Sequence, residues 1–145
     1  MPMPLSNRLV LLLLAALLLG TTLLVRAEDP AAQNRIVIQV NEEDGKKWIA
    51  VLANIRNIQA ELGAKNVRIA VVAIGFGLGM VTADSIAANE VQDALATGVE
   101  FLACGNSMKA QHVTRDDLVT GVGIATAGYV EIMKRQQQGW AYLRP

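Results

Sequence analysis

The chain has 145 residues, with 13 basic and 13 acidic side chains, one His and one Cys; 52% of it is apolar and its mean hydropathy is +0.34. The apolar excess is local: residues 1–27 hold 18 of the apolar residues, whereas residues 28–145 have an ordinary globular composition and 13 acidic against 11 basic side chains. A disordered chain, a disulfide-stapled domain, a multi-span membrane protein and a basic nucleic-acid binder are thereby excluded.

Residues 1–27 read as a secretory signal peptide. Arg8 and the free N-terminus give the positive start, Leu9 to Leu19 the apolar run, and Val25-Arg26-Ala27 the small-x-small pattern that places the cut before Glu28. Left uncleaved, the same stretch is at the short limit for a membrane anchor. The mature chain is therefore expected in the periplasm or outside the cell, touching a membrane only through an uncleaved leader. Residues 28–34 read as a polar linker, and 35–145 as one domain.

In chain order, the β-branched run Arg35 to Val40 predicts a buried strand. Asp44 caps a helix on which Trp48, Val51, Leu52, Ile55, Ile58 and Leu62 recur at helical spacing, with Gly63 as its stop. Val67 to Ile74 is a second strand, uniformly apolar as a strand covered on both faces should be. Gly75-Phe-Gly-Leu-Gly79 breaks it, and Thr82 to Thr97 follows as a helix with Ile86, Val91, Ala94 and Leu95 inward and Gly98 as its stop. Val99 to Cys104 is the third strand, and Gly105 to Gln111 a loop or short helix opened by Asn106 and Ser107. Thr114 to Leu118 predicts a short helix with Asp116 and Asp117 near its positive end. A strand over Val122 to Ala127, a helix over Tyr129 to Gln138 stopped by Gly139, and a strand over Trp140 to Leu143 complete the chain. Alternating strands and helices at these spacings predict a parallel sheet with helices on both faces.

Ligands of such sheets bind beyond the carboxyl ends of the strands, where the turn Asn41 to Asp44, the glycine loop 75–79 and Cys104 all fall. The acidic turn reads as helix-start residues and solvated charge. The loop is Gly-x-Gly-x-Gly, an incomplete dinucleotide fingerprint that follows the second strand instead of the first, and no Walker lysine accompanies it. Its glycines either cradle a small anion on the backbone or form a tight turn that packs closely. Cys104 has no second Cys to pair with. At a strand end before Gly105-Asn106-Ser107, its sulfur is either a stabilised thiolate able to carry a transferable group or a buried inert thiol. His112 is a candidate base for it or a surface His without a role. One His and one Cys are too few soft ligands for a metal site within one chain, and no cofactor is implied.

Arg35-Ile-Val-Ile-Gln-Val40, Gly75-Phe-Gly-Leu-Gly-Met80, Phe101-Leu-Ala-Cys-Gly-Asn-Ser-Met108, Thr114-Arg-Asp-Asp-Leu118 and Gln138-Gly-Trp-Ala-Tyr-Leu-Arg-Pro145 together resemble the DsrE/DsrF-like (YchN-like) family, in particular its exported single-domain subgroup. The resemblance implies a three-layer α/β/α fold on a mostly parallel sheet of about five strands, assembled as a homotrimer or homohexamer. It also implies relay of sulfur as a cysteine persulfide, between a donor and an acceptor protein, with Cys104 as the position that holds the sulfur. On that reading Gly75, Gly77, Gly79, Asn106 and Ser107 shape the pocket by offering donors to anionic sulfur. The competing expectation is a non-catalytic homo-oligomer that binds a small anion or nucleotide at the glycine loop, with Cys104 buried and inert.

Overall fold

The computed structural model describes residues 34–145; the leader and residues 28–33 of the linker lie outside that range. Five strands form the sheet: β1 (Arg35–Val40), β2 (Arg68–Ala73), β3 (Glu100–Cys104), β4 (Gly123–Ala125) and β5 (Ala141–Leu143), in the spatial order β4-β3-β2-β1-β5. Every pairing is parallel: Ile38 lies opposite Val71 and Leu143, Ala73 opposite Ala103, and Cys104 opposite Ala125. The helices are α1 (Gly45–Leu62), α2 (Ala88–Ala96), α3 (Gly105–Gln111) and α4 (Gly128–Gln137), with 3-10 turns over Gly75–Val81 and Arg115–Asp117. A three-layer α/β/α fold on a five-stranded parallel sheet is thus what the sequence pattern specified.

The strand order decides which helix lies where. From β1 to β4 the chain steps in one direction across the sheet, and right-handed crossovers then place α1, α2 and α3 on one face. The last crossover returns from β4 past the whole sheet to β5 on the far side of β1, which puts α4 on the opposite face. Side-chain packing follows this division. Ile38, Val71, Ala73 and Phe101 meet Trp48, Leu52, Ile55 and Val91 in the main core, with Met108 of α3. Val37, Val72, Ile74, Cys104 and Ile132 form a smaller second core beneath α4.

The helix α1 begins where Asp44 accepts from the Lys46 and Lys47 N–H groups at 3.0 and 3.1 Å, and ends at Gly63 in a left-handed conformation. The second helix is shorter than its sequence pattern suggested. Gly75 to Val81 winds as a 3-10 turn, then Thr82 bridges Leu118 and the Ala83 N–H donates to the Asp117 carbonyl. Backbone committed to that pairing cannot enter a helix, so α2 starts only at Ala88, behind the Ser85 hydroxyl that accepts from the Ala87 N–H. Ile86 consequently faces outward at 72% exposure, against the start of α1 at Gly45, instead of inward as expected.

At the amino end of the sheet Arg135 ties α4 down. Its guanidinium meets Glu100 of β3 at 2.8 Å and Glu131 one turn back at 2.7 Å, and stacks 4.5 Å from the Trp140 ring. At the other end the approach of the glycine loop to β1 is set by Gly77, where a Cβ would strike the Val40 carbonyl. Backbone cannot give way there, so Gly77→Ala should cost about 2–3 kcal/mol of stability, read from the midpoint of urea unfolding. A change below about 0.5 kcal/mol, the ordinary range for surface substitutions, would show that the loop is not held by that contact.

Candidate functional site

Strand alternation sends Leu102 and Cys104 to the face under α4, and Phe101 and Ala103 to the main core. Cys104 ends β3 and is also the N-cap of α3, because the strand runs into the helix without a loop. The N–H groups of Asn106 and Ser107, free at the start of that helix, therefore favour an anionic sulfur. From across the sheet the Gly128 N–H, at the start of α4, donates to Sγ at 3.3 Å. Gly128 permits this approach: a Cβ there would lie 2.7 Å from Ile74 Cγ1 and 3.1 Å from Cys104 Cβ.

The Ser107 hydroxyl completes the surroundings. It accepts from the Gly75 N–H at 2.8 Å, and beside the sulfur it favours the thiolate. Gln111 donates to the Gly75 carbonyl at 2.7 Å, so α3 grips both polar groups of that residue's backbone. Burial pushes the Cys104 thiol up, but the Ser107 hydroxyl and the N–H groups of Gly128, Ser107 and Asn106 outweigh it and hold the thiol below its ordinary value.

Cys104 is only 4% exposed, yet it lines a cavity of about 560 Å³, within the usual range for small-molecule sites. Ile74, Phe76, Ala110, Ala127 and Tyr129 make the apolar part of its wall. Phe76 and Tyr129 are 67% and 63% exposed and form the outer rim. The Gln39 amide, buried in β1, reaches the Tyr129 hydroxyl at 3.5 Å and accepts from the Tyr142 hydroxyl at 2.7 Å, which ties the rim to β5.

Among the residues singled out in the sequence, Gly75, Asn106 and Ser107 line this cavity together with Cys104. Gly77 and Gly79 do not line it: the Gly77 N–H donates to the Ile74 carbonyl at 3.0 Å, and Gly79 lies against the Trp48 ring. His112 is exposed at the end of α3 in a left-handed conformation, and it too is absent from the lining. Gly128, Tyr129, Phe76 and Gln111 belong to the site without having been singled out. The small-residue run Thr126-Ala127-Gly128 at the mouth of a helix was the available signal for the first of them. The acidic turn has a structural use, since Glu42 accepts from Arg144 at 3.2 Å and the Glu42 carbonyl accepts from Trp48 Nε1 at 2.9 Å.

An all-parallel α/β sheet with a thiol at the carboxyl end of its third strand, facing a cavity between two helix starts, is an α/β protein with its site at the strand ends. The DsrE/DsrF-like family pattern matches residues 37–145, and the chain belongs to that family. A solved protein of unknown function from Methanobacterium thermoautotrophicum, MTH1491, is 37% identical over 77% of this chain and 99% of its own, with a TM-score of 0.74. The ychN protein from E. coli shares the fold at 12% identity and a TM-score of 0.64, covering 78% of this chain and 99% of its own. Another protein of unknown function, BT1422 from Bacteroides thetaiotaomicron, does so at 15% identity and a TM-score of 0.64, covering 79% and 97%. No curated protein matches the chain.

The hydroxyl of Ser107 is the group at this site most easily removed. Ser107→Ala should raise the midpoint of the pH profile for Cys104 alkylation; an unmoved midpoint would mean that the hydroxyl does not support the thiolate. Stability carries the same signature. A thiol whose folded pKa lies below its unfolded value of about 8.5 stabilises the fold increasingly as pH rises from the former to the latter. The wild type should therefore gain on Cys104→Ala over that window in denaturant melts, and lose the gain as the pH falls.

Proposed function

We propose that this chain is an exported carrier of sulfane sulfur, acting through Cys104. The observation that carries this reading is that a thiol accepting from the Gly128 N–H, at the start of a helix whose N–H groups and Ser107 hydroxyl favour its anionic form, lines a cavity open to reactants. Those donors favour anionic sulfur, whether the resting thiolate or the persulfide formed from it. In the loading step the thiolate attacks the outer sulfur of a donor persulfide R–S–SH. A new S–S bond forms on Cys104, the donor's S–S bond breaks, and R–S⁻ leaves with the bonding pair. Unloading is the same exchange with an acceptor thiolate as the attacking group. With no second Cys in the chain, the sulfur can leave only to another molecule.

Membership of the DsrE/DsrF-like family favours sulfur transfer, and the leader-like residues 1–27 favour export. Self-association as a trimer or hexamer belongs to the same proposal. Val130 and Met133 leave apolar surface exposed along α4, which an assembly would cover.

The test is to hold the folded chain in excess inorganic polysulfide and read its intact mass. The expected result is a gain of one sulfur atom, reversed by dithiothreitol, with none on Cys104→Ser. A wild type that stays unmodified while folded would overturn the carrier reading and leave Cys104 an inert thiol.

A further inference from the structure

The wall of the Cys104 cavity has a chemical character of its own. None of its lining residues is Lys, Arg, His, Asp or Glu. Of its polar members, the Ser107 hydroxyl holds the Gly75 N–H, the Gln111 amide holds the Gly75 carbonyl and the Tyr129 hydroxyl accepts from Gln39, while the Asn106 amide, the remaining one, is neutral. Beside that amide, the open wall is aliphatic and aromatic surface from Ile74, Phe76, Ala110 and Tyr129. The Gly128 N–H donates inward to the sulfur at 3.3 Å, with the free start of α3 beside it. A reactant bringing a second negative charge, such as a carboxylate or a sulfonate-like group, would lose its hydration and find no counter-charge.

We infer that the cavity takes a low-molecular-weight organic hydrodisulfide with an uncharged, apolar substituent, and discriminates against thiosulfate and carboxylate-bearing donors. This rests on Cys104 taking up sulfane sulfur, as proposed above. The donor seats its apolar group against Phe76 and Tyr129 with its outer sulfur towards Cys104. The thiolate attacks that sulfur, the proton stays on it, and the substituent leaves as its thiolate with the electron pair of the broken S–S bond. One negative charge enters the exchange and one leaves it, so the cavity never has to hold two.

A matched pair of probes isolates the charge: benzyl hydrodisulfide and its 4-carboxybenzyl counterpart, whose leaving thiolates are of similar basicity. Sulfur loading of the full chain is followed by intact mass, with thiosulfate as a third donor. The expected result is loading by the benzyl donor about tenfold or more faster than by the carboxylated one, a factor worth about 1.4 kcal/mol, with thiosulfate slowest. Ala110→Lys, an exposed position on α3, should narrow or reverse that ratio by supplying the missing counter-charge. Equal rates, or faster loading from the carboxylated donor or thiosulfate, would overturn the inference and leave the carrier reading standing. So would loading by polysulfide but by neither hydrodisulfide. Failure of every donor, polysulfide included, would overturn the carrier reading itself.

Discussion

The contact between the Gly128 N–H and the Cys104 sulfur, 3.3 Å long, is the constraint around which this site is built. It joins two elements 24 residues apart, and it closes only because residue 128 lacks a side chain. A Cβ there would lie 2.7 Å from Ile74 and 3.1 Å from Cys104, so a larger residue would have to shift Ile74 or α4 at the point where the helix's first N–H is needed. A second close backbone approach, that of Gly77 to the end of β1, brings the glycine loop within reach of α3. The cavity is what remains between these two forced approaches, and its volume is set by them.

Topology explains why the thiol meets two helix starts instead of one. A strand that leads directly into its own helix always presents its last residue to that helix's free N–H groups. The second helix start comes from the return crossover, since β4 lies beside β3 and α4 must begin there before it recrosses the sheet to β5. The opposite end of α4 is fixed by the Arg135 cluster with Glu100, Glu131 and Trp140. Held at its far end by charge and at its near end by close packing, α4 cannot slide along the sheet without breaking one or the other. The smaller core beneath it, centred on Val37, Val72 and Ile132, is too thin to fix that position alone.

Electrostatically the site is economical. Neutral dipoles, not basic side chains, favour the anionic form of the sulfur, and they do so in a wall of low polarity where each is worth more than in water. Such a cradle suits one negative charge that stays on sulfur throughout an exchange. It differs from sites that lower a thiol's pKa with a neighbouring imidazolium: His112, the sole histidine, lies exposed at the other end of α3 and outside the cavity.

Local chemistry in the sequence determined most of the fold. Apolar β-branched runs set the strands to within a residue or two, and Asp44, Gly63, Gly98 and Gly139 marked helix ends because capping and left-handed turns depend on near neighbours. Cys104, Gly75, Asn106 and Ser107 were legible as a site because the strand end beside Gly105-Asn106-Ser107 is a local feature. What the sequence misjudged was where distant backbone intervenes: α2 loses its first six expected residues to the turns and pairing that follow the glycine loop, and Ile86 turns outward with them. The tertiary structure alone decided that Gly77 and Gly79 pack against β1 and Trp48 while Gly75 is gripped by α3. It alone brought Gly128, Phe76 and Tyr129 to the sulfur. Those outcomes depend on which strand lies beside which and on which face the last crossover takes, and neighbours across a sheet leave no periodicity along the chain.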